Sequence, residues 1–327
     1  MPGNNNKPIL QVEDLHVQFG TRDGLLRAVR GVSFNLYPGE ALGLVGESAC
    51  GKSVTALSIL RLIQCPPGNI EAKKVVFDET DITQATEKQM RAIRGKRISM
   101  IFQDPMTSLN PVLSVGKQMS EIIQLHLKLK GNEVKNRCID LLKMVGLSAP
   151  EMRLKSYPHQ LSGGMRQRVM IAMAISCNPA ILLADEPTTA LDVTIQDQIL
   201  RLVRSLAQRL DMATILITHN FGAVSGNTDR ILVMYAGKIV EAATTMELFH
   251  NPLHPYTRGL LRSIPKVEEE EHDRLFSIKG MVPNPIRVFP GCSYAPRCES
   301  AMDECTNDTP SLIEKGEEHY VSCWKVQ

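Results

Sequence analysis

Ala41-Leu42-Gly43-Leu44-Val45-Gly46-Glu47-Ser48-Ala49-Cys50-Gly51-Lys52-Ser53 is the stretch whose reading decides the fold. Ala41–Val45 is an apolar run of strand length set off by the turn Pro38-Gly39, and Ser53–Ile63 continues as a helix. Between them, Gly46, Glu47, Ser48, Ala49, Cys50, Gly51, Lys52 and Ser53 match G-x-x-x-x-G-K-S. In such a loop the backbone N–H groups, together with the helix N-terminus that follows, cradle phosphate oxygens. Lys52 is then expected to reach the β- and γ-phosphates of ATP, and the Ser53 hydroxyl to bind Mg²⁺. Strand, glycine loop and helix begin an α/β unit.

The same grammar extends outward. Ile9–Phe19 alternates apolar and polar residues as a half-buried strand does, and Val29–Leu36 repeats the pattern. Val115–Lys130 and Glu133–Val145 have helical periodicity around Gly131-Asn132, which predicts a helical insertion. Ile181–Ala184, Thr214–Ile217 and Ile231–Met234 read as short buried strands, and Ile199–Leu210 as an amphipathic helix. Apolar strands separated by helices predict a mostly parallel sheet covered on both faces.

Four further segments carry chemistry. Ile181–Ala184 delivers Asp185 and Glu186 to a strand's C-terminal end, where sheet ligands bind. Asp185 suits Mg²⁺ through water, and Glu186 suits the role of general base on the attacking water. Ser162, Gly163 and Gly164 open the helix Arg166–Ser176 and form a second anion cradle. A single site needs only one phosphate cradle, so this one is expected to complete the site of another subunit. Gln103 follows the apolar Ile98–Ile101, and His219 follows Thr214–Ile217.

Bulk properties narrow the class. The chain has 327 residues, 43% hydrophobic and 22% charged, which suits a folded protein of one large domain with an appendage or two domains. A formal net charge of +2, with Lys and Arg scattered, gives no basic stripe for nucleic acid. No run reaches the ~20 apolar residues of a membrane span, and Met1–Pro8 is polar, unlike a signal peptide. A cytoplasmic protein that reaches a membrane only through partners is expected.

In this order the motifs resemble the ABC transporter ATPases over residues ~9–245. The resemblance implies a P-loop NTPase core: a RecA-like, mostly parallel sheet, an antiparallel β subdomain and a helical subdomain at about 105–177. It implies that Gln103 senses Mg²⁺ and couples to the membrane subunit, and that Ala190-Leu191-Asp192 crosses the dimer. It makes His219 the γ-phosphate switch and Phe19 the ring that stacks on adenine. Ala49 stands where the family usually has Gly, and its Cβ would strain any positive φ; Met165 replaces a common Gln.

The text Phe102-Gln103-Asp104-Pro105-Met106-Thr107-Ser108-Leu109-Asn110-Pro111 narrows the resemblance to bacterial dipeptide and oligopeptide importers, as do Tyr157–Gln160 and His254–Leu261. That branch implies two transmembrane permease subunits, a second and paralogous ATPase subunit, and an extracytoplasmic peptide-binding protein. The chain would lie on the cytoplasmic face of the inner membrane. Nickel and glutathione importers use similar ATPase subunits and remain open as cargo alternatives. A soluble ABC ATPase of repair or translation fits less well, because this chain has one P-loop and no heptad insertion.

After residue 250 prolines recur and Glu268–Glu271 forms an acidic run expected to be a solvated surface. Residues 1–250 are therefore expected to be the ATPase domain and 251–327 a small irregular extension. Of eight cysteines, Cys292, Cys298, Cys305 and Cys323 cluster there as C-x₅-C-x₆-C-x₁₇-C. That spacing fits no zinc finger; four thiolates suit a [4Fe–4S] cluster or Zn²⁺, and free thiols or disulfides remain open. The importer resemblance implies the cluster, in a structural role, with Gly291, Pro296 and Arg297 shaping its loop.

Overall fold

The computed structural model describes residues 7–104, 108–189, 191–264, 277–287 and 289–327. Pro105, Met106, Thr107, Ala190 and the acidic run Glu268–Glu271 lie outside the described residues. Strands are labelled in chain order: β1 (Leu10–Thr21), β2 (Gly24–Leu36), β3 (Ala41–Val45), β4 (Gly68–Glu71), β5 (Lys74–Phe77), β6 (Thr80–Asp81), β7 (Ile98–Ile101), β8 (Ile181–Asp185), β9 (Ala213–Thr218), β10 (Arg230–Tyr235), β11 (Lys238–Thr244), β12 (Ile313–Gly316) and β13 (His319–Val321). The chain divides into two compact units. One includes Tyr37–Ala41 and Ala85–Ile217; the other comprises Lys7–Leu36, Leu42–Gln84 and Thr218–Gln327.

In the first unit β7, β8 and β9 run parallel, with Ile98 opposite Ile181 and Ile181 opposite Ala213. β8 is buried at every position, and its first four residues, Ile181–Ala184, read in sequence as an unbroken apolar run. The helical insertion comprises Val115–Leu127, Asn132–Met144 and Pro150–Lys155. It packs through Val115, Met119, Ile123, Val134, Cys138, Leu141 and Leu142, all buried. The Ser114 hydroxyl caps the first helix by accepting from Lys117 N–H. The buried Gln118 amide staples the preceding loop: it donates to the carbonyls of Asn110 (3.0 Å) and Leu113 (2.9 Å) and accepts from Asn110 N–H (2.9 Å). Helix Val193–Arg209 begins six residues before the predicted Ile199.

In the second unit an antiparallel sheet runs β2-β1-β5-β6, with β4 also paired to β1. β2 starts at Gly24 rather than Val29, because Thr21 pairs with Gly24 across a two-residue turn. β3 pairs in parallel with β10, and β10, β11, β13 and β12 follow in antiparallel order. The extension thus ends as a hairpin added to a sheet edge: Glu241 of β11 lies opposite Val321 and Ala242 opposite Tyr320. Helix Lys52–Ile59 stops four residues short of the predicted Ile63, since Arg61 turns to φ +50°.

The added hairpin is tied down by a buried charge. Glu241 is fully buried; its carboxylate accepts from Leu253 N–H (2.6 Å) and His254 N–H (3.0 Å), and lies 2.8 Å from His319 Nε2. A carboxylate so placed holds β11, β13 and the start of helix Pro255–Arg262 together, and only such partners make its burial tolerable.

Candidate nucleotide site

The loop 46–53 lies in the second unit, between β3 and helix Lys52–Ile59. Gly46 is at φ +155°, and a Cβ there would sit 2.2 Å from the Met234 carbonyl oxygen. Gly51 is at φ +105°, where a Cβ would meet the Ala28 carbonyl oxygen at 2.4 Å. Only glycine fits either place. Gly51 has no side chain with which to cap the helix, so the helix opens on backbone N–H groups suited to an anion. Lys52 is 4% exposed, and its ammonium donates to the carbonyls of Gly46 and Glu47, each at 2.8 Å. Cys50 is buried, and burial pushes its thiol pKa up; Ser48 and Ala49 are exposed. Ala49 does take a left-handed φ of +62°, the strain foreseen from its Cβ.

The carboxylates lie in the first unit. Asp185 and Glu186, 4% and 9% exposed, follow the buried run of β8. Glu186 stands at φ +44°, in the left-handed region that strains a residue bearing a Cβ. Gln103 Nε2 donates to Glu186 Oε2 (3.0 Å), and the Thr189 hydroxyl donates to the same oxygen (2.9 Å). Two sequence candidates 83 positions apart thus touch, and the carboxylate is oriented by two donors. Ser162 caps helix Gly163–Ala174, its hydroxyl accepting from Met165 N–H at 3.3 Å. A Cβ at Gly163 would press on Leu191 (3.3 Å) and one at Gly164 on Ile195 (3.2 Å), so these glycines let the helix start approach that segment.

Phe19 and His219 belong to the second unit. Phe19, half-buried on β1, lies opposite Leu26 and Gly68, and a Cβ on Gly68 would come 3.2 Å from its ring. His219 is exposed just beyond β9. The structure leaves it at a strand end, where the sequence puts it.

Cys292, Cys298, Cys305 and Cys323 line one small cavity with His254, Tyr294 and Trp324. Gly291 permits this: a Cβ there would lie 2.2 Å from the Cys305 carbonyl oxygen, and Cys292 N–H donates to that oxygen at 2.8 Å. Burial pushes the thiols of Cys292, Cys298 and Cys323 up, and mutual repulsion of their charges adds to it. Among the described residues no three His, Cys, Asp or Glu side chains close on a point that would hold a single metal ion.

Four residues of the second unit, Tyr235, Tyr256, Tyr294 and Arg297, connect this region with the loop. The Tyr256 hydroxyl accepts from Glu47 N–H (2.8 Å). Tyr235, Tyr256 and Tyr294 form a cluster with ring centroids 4.6 to 5.4 Å apart. Arg297 reaches Glu47 with both terminal nitrogens, at 2.6 and 2.9 Å. The sequence gives Tyr256 only within the importer text His254–Leu261 and Arg297 only as a residue shaping the cysteine loop, and neither signals its contact with Glu47.

Buried His254 caps helix Pro255–Arg262, Nδ1 accepting from Tyr256 N–H (3.0 Å), and burial pushes its pKa down to about 3. Between that value and the unfolded ~6.5 the unfolded chain binds one more proton, so stability falls as pH falls through this window. His254→Asn keeps a capping acceptor and removes the titration. Relative to that variant, the parent should lose about 2 kcal/mol of unfolding free energy between pH 7 and pH 5. Urea unfolding at both pH values checks this, and a difference independent of pH would show that His254 titrates alike in the folded and unfolded chains.

A glycine loop between a buried strand and a helix, with an acid pair at the end of another buried strand, is the arrangement of the P-loop nucleotide-binding proteins. Residues 29–189 match the family model for ABC transporters, and residues 240–305 match the model for the oligopeptide/dipeptide transporter C-terminal region. The oligopeptide transport ATP-binding protein AppD of Bacillus subtilis is 50% identical over 97% of this chain and 96% of its own. The dipeptide transport ATP-binding protein DppD of Escherichia coli is 47% identical over 93% and 92%. Among solved structures, the post-hydrolysis dimer of the cassette MJ0796 with ADP and Pi aligns at TM-score 0.64 and 26% identity, covering 72% of this chain and 98% of that one. CbiO1 from Clostridium perfringens, part of an ABC transporter complex, aligns at 0.62 and 26%, covering 75% and 91%. The chain belongs to the ABC transporter ATP-binding proteins, in the branch that carries the oligopeptide/dipeptide C-terminal region, and it is an ATPase. No helix among the described residues is long and apolar enough to cross a membrane.

Proposed function

We propose that this chain hydrolyses ATP to power import of dipeptides or oligopeptides, peripherally at the cytoplasmic face of the membrane. One observation carries the cargo: relatives named for oligopeptide and dipeptide transport are 47–50% identical along nearly the whole chain, extension included. Lys52 and the N–H groups of loop 46–53 hold the phosphates, and Phe19 takes the adenine. Ser53 and Gln103 would offer oxygen ligands to Mg²⁺ and Asp185 would hold it through water, a donor set that suits a hard cation; the bound ion would neutralise phosphate charge. Glu186, oriented by Gln103 and Thr189, accepts the proton of the attacking water. His219 senses the γ-phosphate, and the Ser162-Gly163-Gly164 cradle serves the site of a second, paralogous ATPase subunit. Two permeases and a peptide-binding protein complete the transporter. In proteoliposomes of that assembly, peptide-loaded binding protein should raise ATP hydrolysis at least fivefold. Stimulation by nickel or glutathione instead would move the cargo, and no response to any permease would remove the transport role.

We further propose that Cys292, Cys298, Cys305 and Cys323 hold a [4Fe–4S] cluster. Support comes from the all-thiol donor set that lines one cavity, a set that suits an iron–sulfur cluster. Bound iron would also relieve the mutual repulsion of the thiolates. Chain purified without oxygen should absorb near 400 nm and contain about four iron and four sulfide per chain. Stoichiometric zinc without iron would assign a zinc site, and metal-free chain with an ordered tail would refute both.

A further inference from the structure

Glu47 presents a problem of charge. It is the second residue of a loop built to receive a polyphosphate, yet it is an acid, with its side chain only 27% exposed. A bare carboxylate there would repel ATP. Its partner comes from the cysteine-rich tail, 250 positions away: Arg297, whose side chain is 4% exposed, grips both carboxylate oxygens, at 2.6 and 2.9 Å. Such fork-to-fork pairing fixes geometry as well as charge. The guanidinium is itself fixed from behind: Nε donates to the Lys279 carbonyl (3.0 Å), Nη2 to the Ile278 carbonyl (3.3 Å) and Nη1 to the Tyr235 hydroxyl (3.3 Å). On the backbone side, Glu47 N–H is taken by the Tyr256 hydroxyl (2.8 Å), and the Glu47 carbonyl receives Lys52 Nζ (2.8 Å). The residue that helps hold Lys52 is therefore clamped through side chain and main chain by residues that follow the ATPase motifs.

We propose that Arg297 is a positioning residue for ATP binding: it neutralises Glu47 and holds the start of the loop so that Lys52 meets the phosphates. This rests on the reading of loop 46–53 as the phosphate site. A tail that merely folds for its own stability would not require a cation facing the loop. Removal of Arg297 restores a negative charge beside the ATP phosphates, so binding weakens while the hydrolytic groups of the first unit are untouched.

The test uses the full-length chain in titrations with a fluorescent ATP analogue, and the assembled transporter for kinetics. Arg297→Gln should raise Kd for ATP about tenfold and KM in parallel, with kcat at saturating ATP within twofold of the parent. Arg297→Lys, which keeps the charge but not the fork, should raise Kd about threefold. Adding Glu47→Gln to Arg297→Gln removes the unpaired carboxylate and should bring Kd back to within threefold of the parent. Lys52→Ala is the reference. If it abolishes binding while Arg297→Gln binds within twofold of the parent, the clamp is refuted and the phosphate site stands. If Lys52→Ala binds normally, the phosphate-site reading itself fails. A double variant no better than Arg297→Gln also overturns the proposal. Should Arg297→Gln alone not fold, the double variant, which leaves no lone buried charge, decides: lost ATP affinity in that folded protein refutes the proposal.

Discussion

Glu186→Gln is expected to slow ATP hydrolysis by the assembled transporter at least 10²-fold, about 2.7 kcal/mol in barrier, with ATP binding intact. The substitution is nearly isosteric, and the amide oxygen still accepts from Gln103 or the Thr189 hydroxyl, which now meet at one carboxylate oxygen. What is lost is the basicity that removes a proton from water as it attacks, so the effect falls on kcat. ATP should then accumulate unhydrolysed and trap a closed dimer, visible by size-exclusion chromatography with ATP. Ser162→Arg in the same chain should abolish that dimer while sparing nucleotide binding, since Ser162 opens the cradle assigned to the partner's site. Turnover within threefold of the parent would remove Glu186 from the role of base.

Lys52→Ala should weaken ATP binding at least 10²-fold and abolish transport. A hydrogen bond to a charged group contributes ~1.5–3 kcal/mol, and the ammonium is expected to serve two phosphates. The loop also loses a structural tie, because Lys52 Nζ joins the carbonyls of Gly46 and Glu47. Nucleotide titration monitored alongside thermal unfolding separates the two effects: lost affinity in a chain that still unfolds cooperatively near the parent temperature assigns the loss to the phosphates. Unchanged affinity would contradict the phosphate-loop reading.

Much of this site is readable before folding because phosphate chemistry imposes local order. A cradle needs consecutive N–H groups, so Gly46–Ser53 must be contiguous, and the glycines at Gly46 and Gly51 stand where backbone carbonyls leave no room for Cβ. A parallel strand buried on both faces is mostly apolar, so the run Ile181–Ala184 of β8 is conspicuous and points to the acids after it. Less visible are elements whose pattern carries no burial signal. The tip of β2 is exposed, and β12 has one half-buried residue followed by three exposed ones, so neither alternates.

The sequence by itself thus determined the nucleotide chemistry, the family and the parallel α/β core, since each rests on contiguous or periodic residues. Only the tertiary structure decided which distant charges meet. Glu241 looks like a polar interruption of β11, yet it is fully buried against His319 and two backbone N–H groups. Arg297 looks like one basic residue beside Cys298, yet it closes on Glu47 in the phosphate loop. The physical reason is range: hydrophobic periodicity and turn chemistry act over a few residues, whereas an ion pair forms wherever topology brings two side chains within about 3 Å, and nothing in the neighbouring residues records that.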